Sequence, residues 1–352
     1  MATAATQSSS GRSSVVALGI ESTAHTFGVG IVSDRKPYIL ADIRYKYTPS
    51  KGGILPREVA QYFSTIAGRA VREALGEAGL GIRDLSLIAV ALGPGMGPAL
   101  RIGATVARAL SAAYGLPLIP VNHGIAHIEI ARFFAGARDP VILYVSGGTT
   151  VIATYSYGRY RIFGETLDIA LGNLLDTFAR EAGLAPPYIV EGEHVVDLCA
   201  RGGRFLRDFP YTVKGQDVSY SGLLTKALRS LAKGIDIHDV CYTLREIAFS
   251  SAIEVTERCL AHTRKNQVVL TGGVAANSIL NDKASRMSKL HHAKFKPIPR
   301  RYAGDNGVMI AMAGILAFKS GLNGVKPEDA IINQRWRLDR VDVPWFPRIF
   351  GE

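Results

Sequence analysis

One pattern occurs twice in this chain, and it constrains the fold more than any other. Val15 to Ile20 is a short apolar run. It breaks at the small polar turn Glu21-Ser22-Thr23-Ala24-His25 and returns as a second apolar run, Phe27 to Val32. Val141 to Val145 does the same: it breaks at Ser146-Gly147-Gly148-Thr149-Thr150 and returns as Val151 to Tyr155. Each unit reads as strand, turn and strand. Each is also followed by a buried strand that runs into a Gly-rich loop and a helix: Leu85–Ala91 into Gly93–Pro98, and Gln267–Thr271 into Gly272–Asn277. A duplicated α/β unit predicts two lobes with a ligand between them. The turns themselves are either ordinary hairpin turns or anion sites built from backbone N–H groups.

The spacing predicts further helices over Pro56–Glu73, Gly164–Glu181, Leu244–Arg258 and the Ala- and Met-rich stretch up to Phe318. Asp168, Asp176 and Glu181 fall on the second of these, either as solvated carboxylates or, for Asp176, at a cleft. We expect a leader over 1–14, a first lobe over 15–135, a second lobe with a nucleotide site over 136–330, and a tail over 331–352. There is no apolar run of about 18 residues, so no membrane span and no membrane partner is expected. The three cysteines, Cys199, Cys241 and Cys259, form no C-x-x-C pair. Their odd number argues against a disulfide framework and for a reducing, cytoplasmic home.

His123 and His127, in VNHGIAHIEI, are four residues apart. On a helix both imidazoles leave one face, a turn apart, and suit one divalent metal. Two packed histidines would show the same spacing. Gly124 stands where a zinc protease of the H-E-x-x-H type carries its general-base Glu. Asp305, in the Gly-bounded turn Tyr302–Gly307, is the candidate third ligand. The net charge of +11 favours an acidic partner, with nucleic acid foremost. The densest basic stretch is Arg264 to Arg301, which reads as a phosphodiester-binding surface or as a solvated face.

Eight segments in order carry a resemblance: LGIESTAHTFGVGIV, LGPGMGPALRIG, VNHGIAHIEI, LYVSGGTT, GETLDIALGNLLDTFARE, YTVKGQDVSYSGLL, TGGVAAN and YAGDNGVMIA. Over Val15 to Gly321 the chain closely resembles the tRNA N6-adenosine threonylcarbamoyltransferase family, in the archaeal and eukaryotic form that serves as the catalytic subunit of the KEOPS complex. The resemblance implies a two-lobed α/β fold like actin and the sugar kinases. It implies transfer of a threonylcarbamoyl group from threonylcarbamoyl-AMP to N6 of the adenosine next to the anticodon, in tRNAs reading codons that begin with adenosine. It implies one divalent metal, iron(II) ahead of zinc(II), on His123, His127 and Asp305, with Tyr144 as a fourth, weaker ligand. It places Tyr144, Val145, Ser146, Gly147 and Gly148 at the phosphates of an adenylate, threonylcarbamoyl-AMP or ATP. Asp176 falls at the ribose or adenine, and Asn277 completes the pocket. The implied partners are tRNA and the separate KEOPS subunits, among them a small kinase or ATPase.

Two departures stand out. Thr149 replaces an expected Asn or His, and PPYIVEGEHVVD replaces a Gly-Gly-Pro segment. Counting without gaps from Asp176 puts the family's acid on Glu193, while a shifted register uses Gly192 and Asp197. The other readings are a metalloprotease, a nucleotide-binding interaction protein without chemistry, and a sugar kinase by fold alone.

Overall fold

The computed structural model of the chain describes residues 14–49 and 53–352, so the expected leader, apart from Ser14, lies outside the described residues. Strands β1 (Val16–Glu21), β2 (Thr26–Ser33) and β3 (Ile39–Lys46) form an antiparallel meander. Helix α1 (Pro56–Ala78) leads to β4 (Leu87–Gly93), and α2 (Gly97–Tyr114) leads to β5 (Leu118–Asn122), which runs directly into α3 (His123–Ala135). Strands β4 and β5 add in parallel, giving the order β3-β2-β1-β4-β5.

The second half repeats this plan. Strands β6 (Val141–Val145), β7 (Thr150–Ser156) and β8 (Arg159–Glu165) form the meander. Next come α4 (Leu171–Glu181), the short ladder of β9 (Ile189–Val190) with β10 (Glu193–His194), and α5 (Val195–Cys199). A small hairpin, β11 (Val213–Lys214) and β12 (Asp217–Val218), precedes α6 (Ser221–Ala232) and α7 (Ile237–Thr263). Then β13 (Gln267–Thr271), α8 (Ser278–Leu290), β14 (Lys294–Phe295), α9 (Arg300–Ala303) and α10 (Gly307–Lys319) follow. The second sheet has the order β14-β13-β6-β7-β8, the same plan as the first. The chain is thus a duplicated, two-lobed α/β fold of the actin and sugar-kinase type.

Both sheets are covered on both faces, which explains their near-continuous apolar strands. On β1, Val16, Leu18 and Ile20 face the core under α1 and α2, while Ala17 faces the core between the sheets. On β6, Val141, Leu143 and Val145 face α4 to α8, and Ile142 and Tyr144 face inward. The layer between the sheets holds α3 and α10. Helix α10 (GVMIAMAGILAFK) is apolar all round, as a helix buried on every side must be. It meets the first sheet backbone to backbone: a Cβ on Gly30 would fall 2.3 Å from Val308 N, and one on Gly19 would fall 2.3 Å from Gly307 O. That contact sets where the segment just before α10 emerges.

The last residues strap both sheets. Val325 N donates to Leu118 O and Asn333 N to Leu92 O on the first sheet. Val343 N donates to Gly158 O, and Phe346 stacks on Tyr155 at 3.5 Å between ring centroids, on the second.

Two expectations are corrected. The helix expected over Gly164–Glu181 begins only at Leu171. Gly164 and Glu165 end β8, and the turn after them is held in a non-helical path. Asp168 there accepts from Ile169 N, Ser219 Oγ, Tyr220 N, Ser221 N and Ser221 Oγ. A short acidic side chain that satisfies so many donors outcompetes the helix. The expectation of no disulfide also fails: Cys199 and Cys241 are bonded, tying α5 to α7, and Cys259 is a buried thiol.

Candidate metal centre and nucleotide cradle

Strand β5 delivers His123 as the first residue of α3, whose start is capped by Asn122 accepting from Ile125 N. His127 follows one turn on, and its ring centroid lies 4.6 Å from that of His123. The turn between α9 and α10 brings in Asp305. Its Oδ1 lies 3.2 Å from His127 Nε2 and 3.6 Å from His123 Nε2. One ligand atom from each of the three residues fits within a 4.8 Å span. Donors on a tetrahedral ion with bonds of about 2.1 Å sit roughly 3.4 Å apart. Two imidazole nitrogens and a carboxylate at these spacings therefore fit a divalent ion.

Two groups on the β1–β2 hairpin stand behind this cluster. Buried Glu21 lies 2.8 Å by Oε2 from His123 Nδ1, and Thr23 Oγ1 lies 3.2 Å from the same nitrogen. Thr23 N and Oγ1 both donate to Glu21 Oε1. A carboxylate behind a ligating imidazole fixes the ring and its tautomer. Burial works against a charge on His123, but Glu21, by charge and hydrogen bond, together with Asp305, pushes its pKa up to about 9. His127 is lowered, chiefly by burial. Asp305 is held well below the usual carboxylate range by its hydrogen bond to His127 and by the imidazoles around it, against its burial.

Tyr144, next to last in β6, has its ring centroid 5.1 Å from that of His127. Burial first, then the charges of Asp305 and Glu21, keep its phenol protonated far above the ordinary range. Only Val145 separates Tyr144 from the turn after β6, so the strand that meets the histidine cluster leads into that turn. In that turn Ser146 N donates to Thr149 O. Among the described residues, the amides of Gly147 and Gly148 donate to no group of the chain. The turn sits tightly on α4 and β13: a Cβ on Gly172 would fall 2.5 Å from Ser146 O, and one on Gly272 would fall 2.3 Å from Val145 O.

Around the turn lie the other expected residues. Asp176, on α4, has its carboxylate partly exposed and 3.0 Å from His194 Nε2. Asn277 caps α8 through Ile279 N and Leu280 N, and its Nδ2 donates to Asp197 Oδ2 at 2.6 Å. Asp197 is buried, with Oδ1 unpaired and Arg245 Nε 4.0 Å away. Desolvation raises its pKa. Glu193 instead pairs with Arg201 at the surface, at 2.9 Å, and Gly192 lies against the Arg300 guanidinium. The shifted register is thus the one that brings an acid to Asn277, while Glu193 points elsewhere.

Sequence reasoning missed Glu21, Thr23 and His194. Glu21 and Thr23 were visible only as turn residues. His194 was hidden in the segment that departs from the family pattern. Burial, with the charge of Lys46, lowers the pKa of His25 in the same hairpin turn, against the charges of Asp305 and Asp176.

Comparison with known proteins gives the family. A family model described as tRNA N6-adenosine threonylcarbamoyltransferase matches residues 38–312. A protein of that name from Aeropyrum pernix is 65% identical over 338 residues, covering 96% of this chain and 97% of its own. One from Hyperthermus butylicus is 58% identical over 334 residues, covering 94% of this chain and 92% of its own. Among solved structures, HypF from T. kodakarensis superposes with a TM-score of 0.62 at 16% identity, over 90% of this chain and 49% of that one, a likeness of fold alone. The chain belongs to the tRNA N6-adenosine threonylcarbamoyltransferase family.

Proposed function

We propose that the chain transfers the threonylcarbamoyl group of threonylcarbamoyl-AMP to N6 of the adenosine next to the anticodon of tRNAs that read codons beginning with adenosine. The observation that carries this reading is Tyr144. It packs against His127 of the His123, His127 and Asp305 cluster and stands in β6 two residues before the turn whose Gly147 and Gly148 amides are free for an anion. An adenylate lying along that turn presents its acyl group to the histidine cluster. N6 attacks the carbamoyl carbon, the bond from that carbon to the phosphate oxygen breaks, AMP leaves and N6 gives up a proton.

Gly147 and Gly148 would bind the phosphate as it gains charge, where fixed N–H donors stabilise it most. Asp176 would hold the ribose, while Asn277 and Asp197 close the pocket floor beside Gly192. A divalent metal, iron(II) ahead of zinc(II), would be held by His123, His127 and Asp305, with Tyr144 as a fourth, weaker ligand, and would supply Lewis acidity at the acyl group. Glu21 would hold His123 in register. Among the described residues no side chain supplies an obvious covalent nucleophile at the site, which suits direct transfer.

The partners in this reading are tRNA and the separate KEOPS subunits, including a small kinase or ATPase, and the location is the cytoplasm. No helix among the described residues is long and apolar enough to cross a membrane. The Cys199–Cys241 bond is compatible with a cytoplasmic location, because intracellular proteins of hyperthermophilic archaea carry disulfides.

The test is to combine the purified chain with metal, threonylcarbamoyl-AMP and unmodified tRNA, with and without the partners, and to measure modified adenosine by mass spectrometry. Product is expected, and Asp305→Ala is expected to abolish it. Absence of product with all partners present, or full activity in Asp305→Ala, would sink the reading.

A further inference from the structure

The segment that departs from the family pattern, 186–197, does something specific in this chain. Its β9–β10 ladder pairs His194 with Ile189 and sets His194 at the start of α5. There His194 Nδ1 accepts from Val196 N at 3.2 Å. A ring nitrogen that accepts carries no proton, so the proton of the neutral imidazole is on Nε2. That Nε2 lies 3.0 Å from Asp176 Oδ1 and donates to it. The imidazole is mostly buried, whereas the Asp176 carboxylate is 41% exposed. Helix α5 is itself anchored, by the Cys199–Cys241 bond to α7 and by His238 Nδ1, which lies 2.6 Å from Cys199 O. His194 is thus a fixed donor aimed at one oxygen of an otherwise mobile carboxylate.

We propose that His194 is a positioning residue, which pins Asp176 Oδ1 so that Oδ2 is held toward the ribose hydroxyls of the bound adenylate. This rests on the reading of Asp176 as the ribose contact. A carboxylate held in one rotamer accepts from a hydroxyl without first losing side-chain freedom. The consequence is selectivity: the chain prefers a ribonucleotide to its deoxy counterpart, and much of that preference runs through His194.

The bland account is that His194 only caps α5. His194→Asn separates the two roles. Asparagine is among the best N-cap residues and keeps the bond to Val196 N, but its shorter amide does not reach Asp176. Binding of ATP, 2′-deoxy-ATP and 3′-deoxy-ATP to the full chain is measured by calorimetry, for wild type, His194→Asn and Asp176→Asn. Wild type is expected to favour ATP over at least one deoxy analogue. His194→Asn is expected to bind ATP about fivefold to tenfold more weakly, the cost of ordering one freed side chain, while the affinity for that analogue stays put. Thermal unfolding should be close to wild type. Equal weakening toward ATP and both analogues, or no weakening at all, overturns the proposal. If wild type and Asp176→Asn both fail to distinguish ATP from the analogues, the ribose reading of Asp176 fails, and the proposal falls with it.

Discussion

The replacement Glu21→Gln tests how the metal centre is tuned. In wild type, His123 carries a proton up to a pKa of about 9 because Glu21 lies 2.8 Å from its Nδ1. A charged imidazole has no lone pair on Nε2, so a metal must displace that proton. His127 is lowered and Asp305 is held low, so neither adds a proton to be displaced near neutrality. Metal affinity should therefore rise close to tenfold per pH unit well below the pKa and flatten as pH nears it, about 50-fold in all between pH 7 and pH 9. Metal-free stability has the opposite sign. A raised imidazole pKa stabilises fully below the unfolded value near 6.5, and that stability is lost as pH rises through about 9.

Glutamine keeps a side-chain oxygen to accept from Nδ1 but removes the charge, so burial then leaves His123 neutral. The pH slope should collapse toward zero. At pH 9 the variant should bind metal about 10-fold to 100-fold more weakly than wild type, the usual cost of losing an outer-shell carboxylate. At pH 7 the lost orientation and the relieved proton competition offset each other, and the two proteins should bind almost equally. Zinc(II) competition against a chromophoric chelator from pH 7 to pH 9 reads the slope. Calorimetry in buffers of different ionisation enthalpy reads proton release, expected near one per metal for wild type and near zero for the variant. Release of two protons would bring Tyr144 in as a phenolate. A variant with the wild-type slope would refute the role given to Glu21.

At the contact between α10 and the first sheet, Gly30→Ala places a Cβ 2.3 Å from Val308 N. It should destabilise by about 1–3 kcal/mol or more in urea unfolding. Gly76→Ala, in α1 with open space around its Cβ, should gain about 0.5–1 kcal/mol. Reducing the Cys199–Cys241 bond, which closes a 42-residue separation, should cost about 4 kcal/mol by chain entropy. A double serine variant with unchanged unfolding in urea would contradict this. In the basic stretch, Lys265 and Arg301 are taken up by Asp139 and Asp42, and Arg300 lies against Gly192. Lys289, Lys294 and Lys296 are exposed, so reversing these three to Glu should lower tRNA affinity and flatten its salt slope while ATP binding persists. An unchanged slope in a folded variant moves the tRNA surface elsewhere.

The duplicated hairpins were readable because each strand is apolar on both faces and each turn is small and polar. The shared sheet order was not readable, because parallel addition of β4, β5, β13 and β14 joins segments far apart in the chain. Helix α10 reads as buried from its composition, but the close-packed glycines on β1 and β2, at its own start and at Gly314 say which sheet it touches. The helix expected from Gly164 failed because Leu167, Ala170 and Leu171 fit helical spacing, while Leu167 N bonds to Val218 O on β12 and Asp168 takes the Tyr220 N–H. Likewise, Cys199 and Cys241 share no local pattern and meet only because α5 packs on α7.

The site follows the same division. His123 and His127 announce themselves by spacing within one helix. Asp305 is 178 residues from His127, and a Gly-bounded turn is a weak sign of it. Glu21 ends β1, Asn277 caps α8 and His194 caps α5. Periodicity describes the interior of an element, because there each residue has a face. At an element's end the backbone leaves its regular path, and the partner of the last side chain comes from another segment. Much of this site is assembled from such ends, with His127, Tyr144 and Asp176 inside α3, β6 and α4. For that reason a gapless count could fall on Glu193, while α5 carries Asp197, and not Glu193, to Asn277.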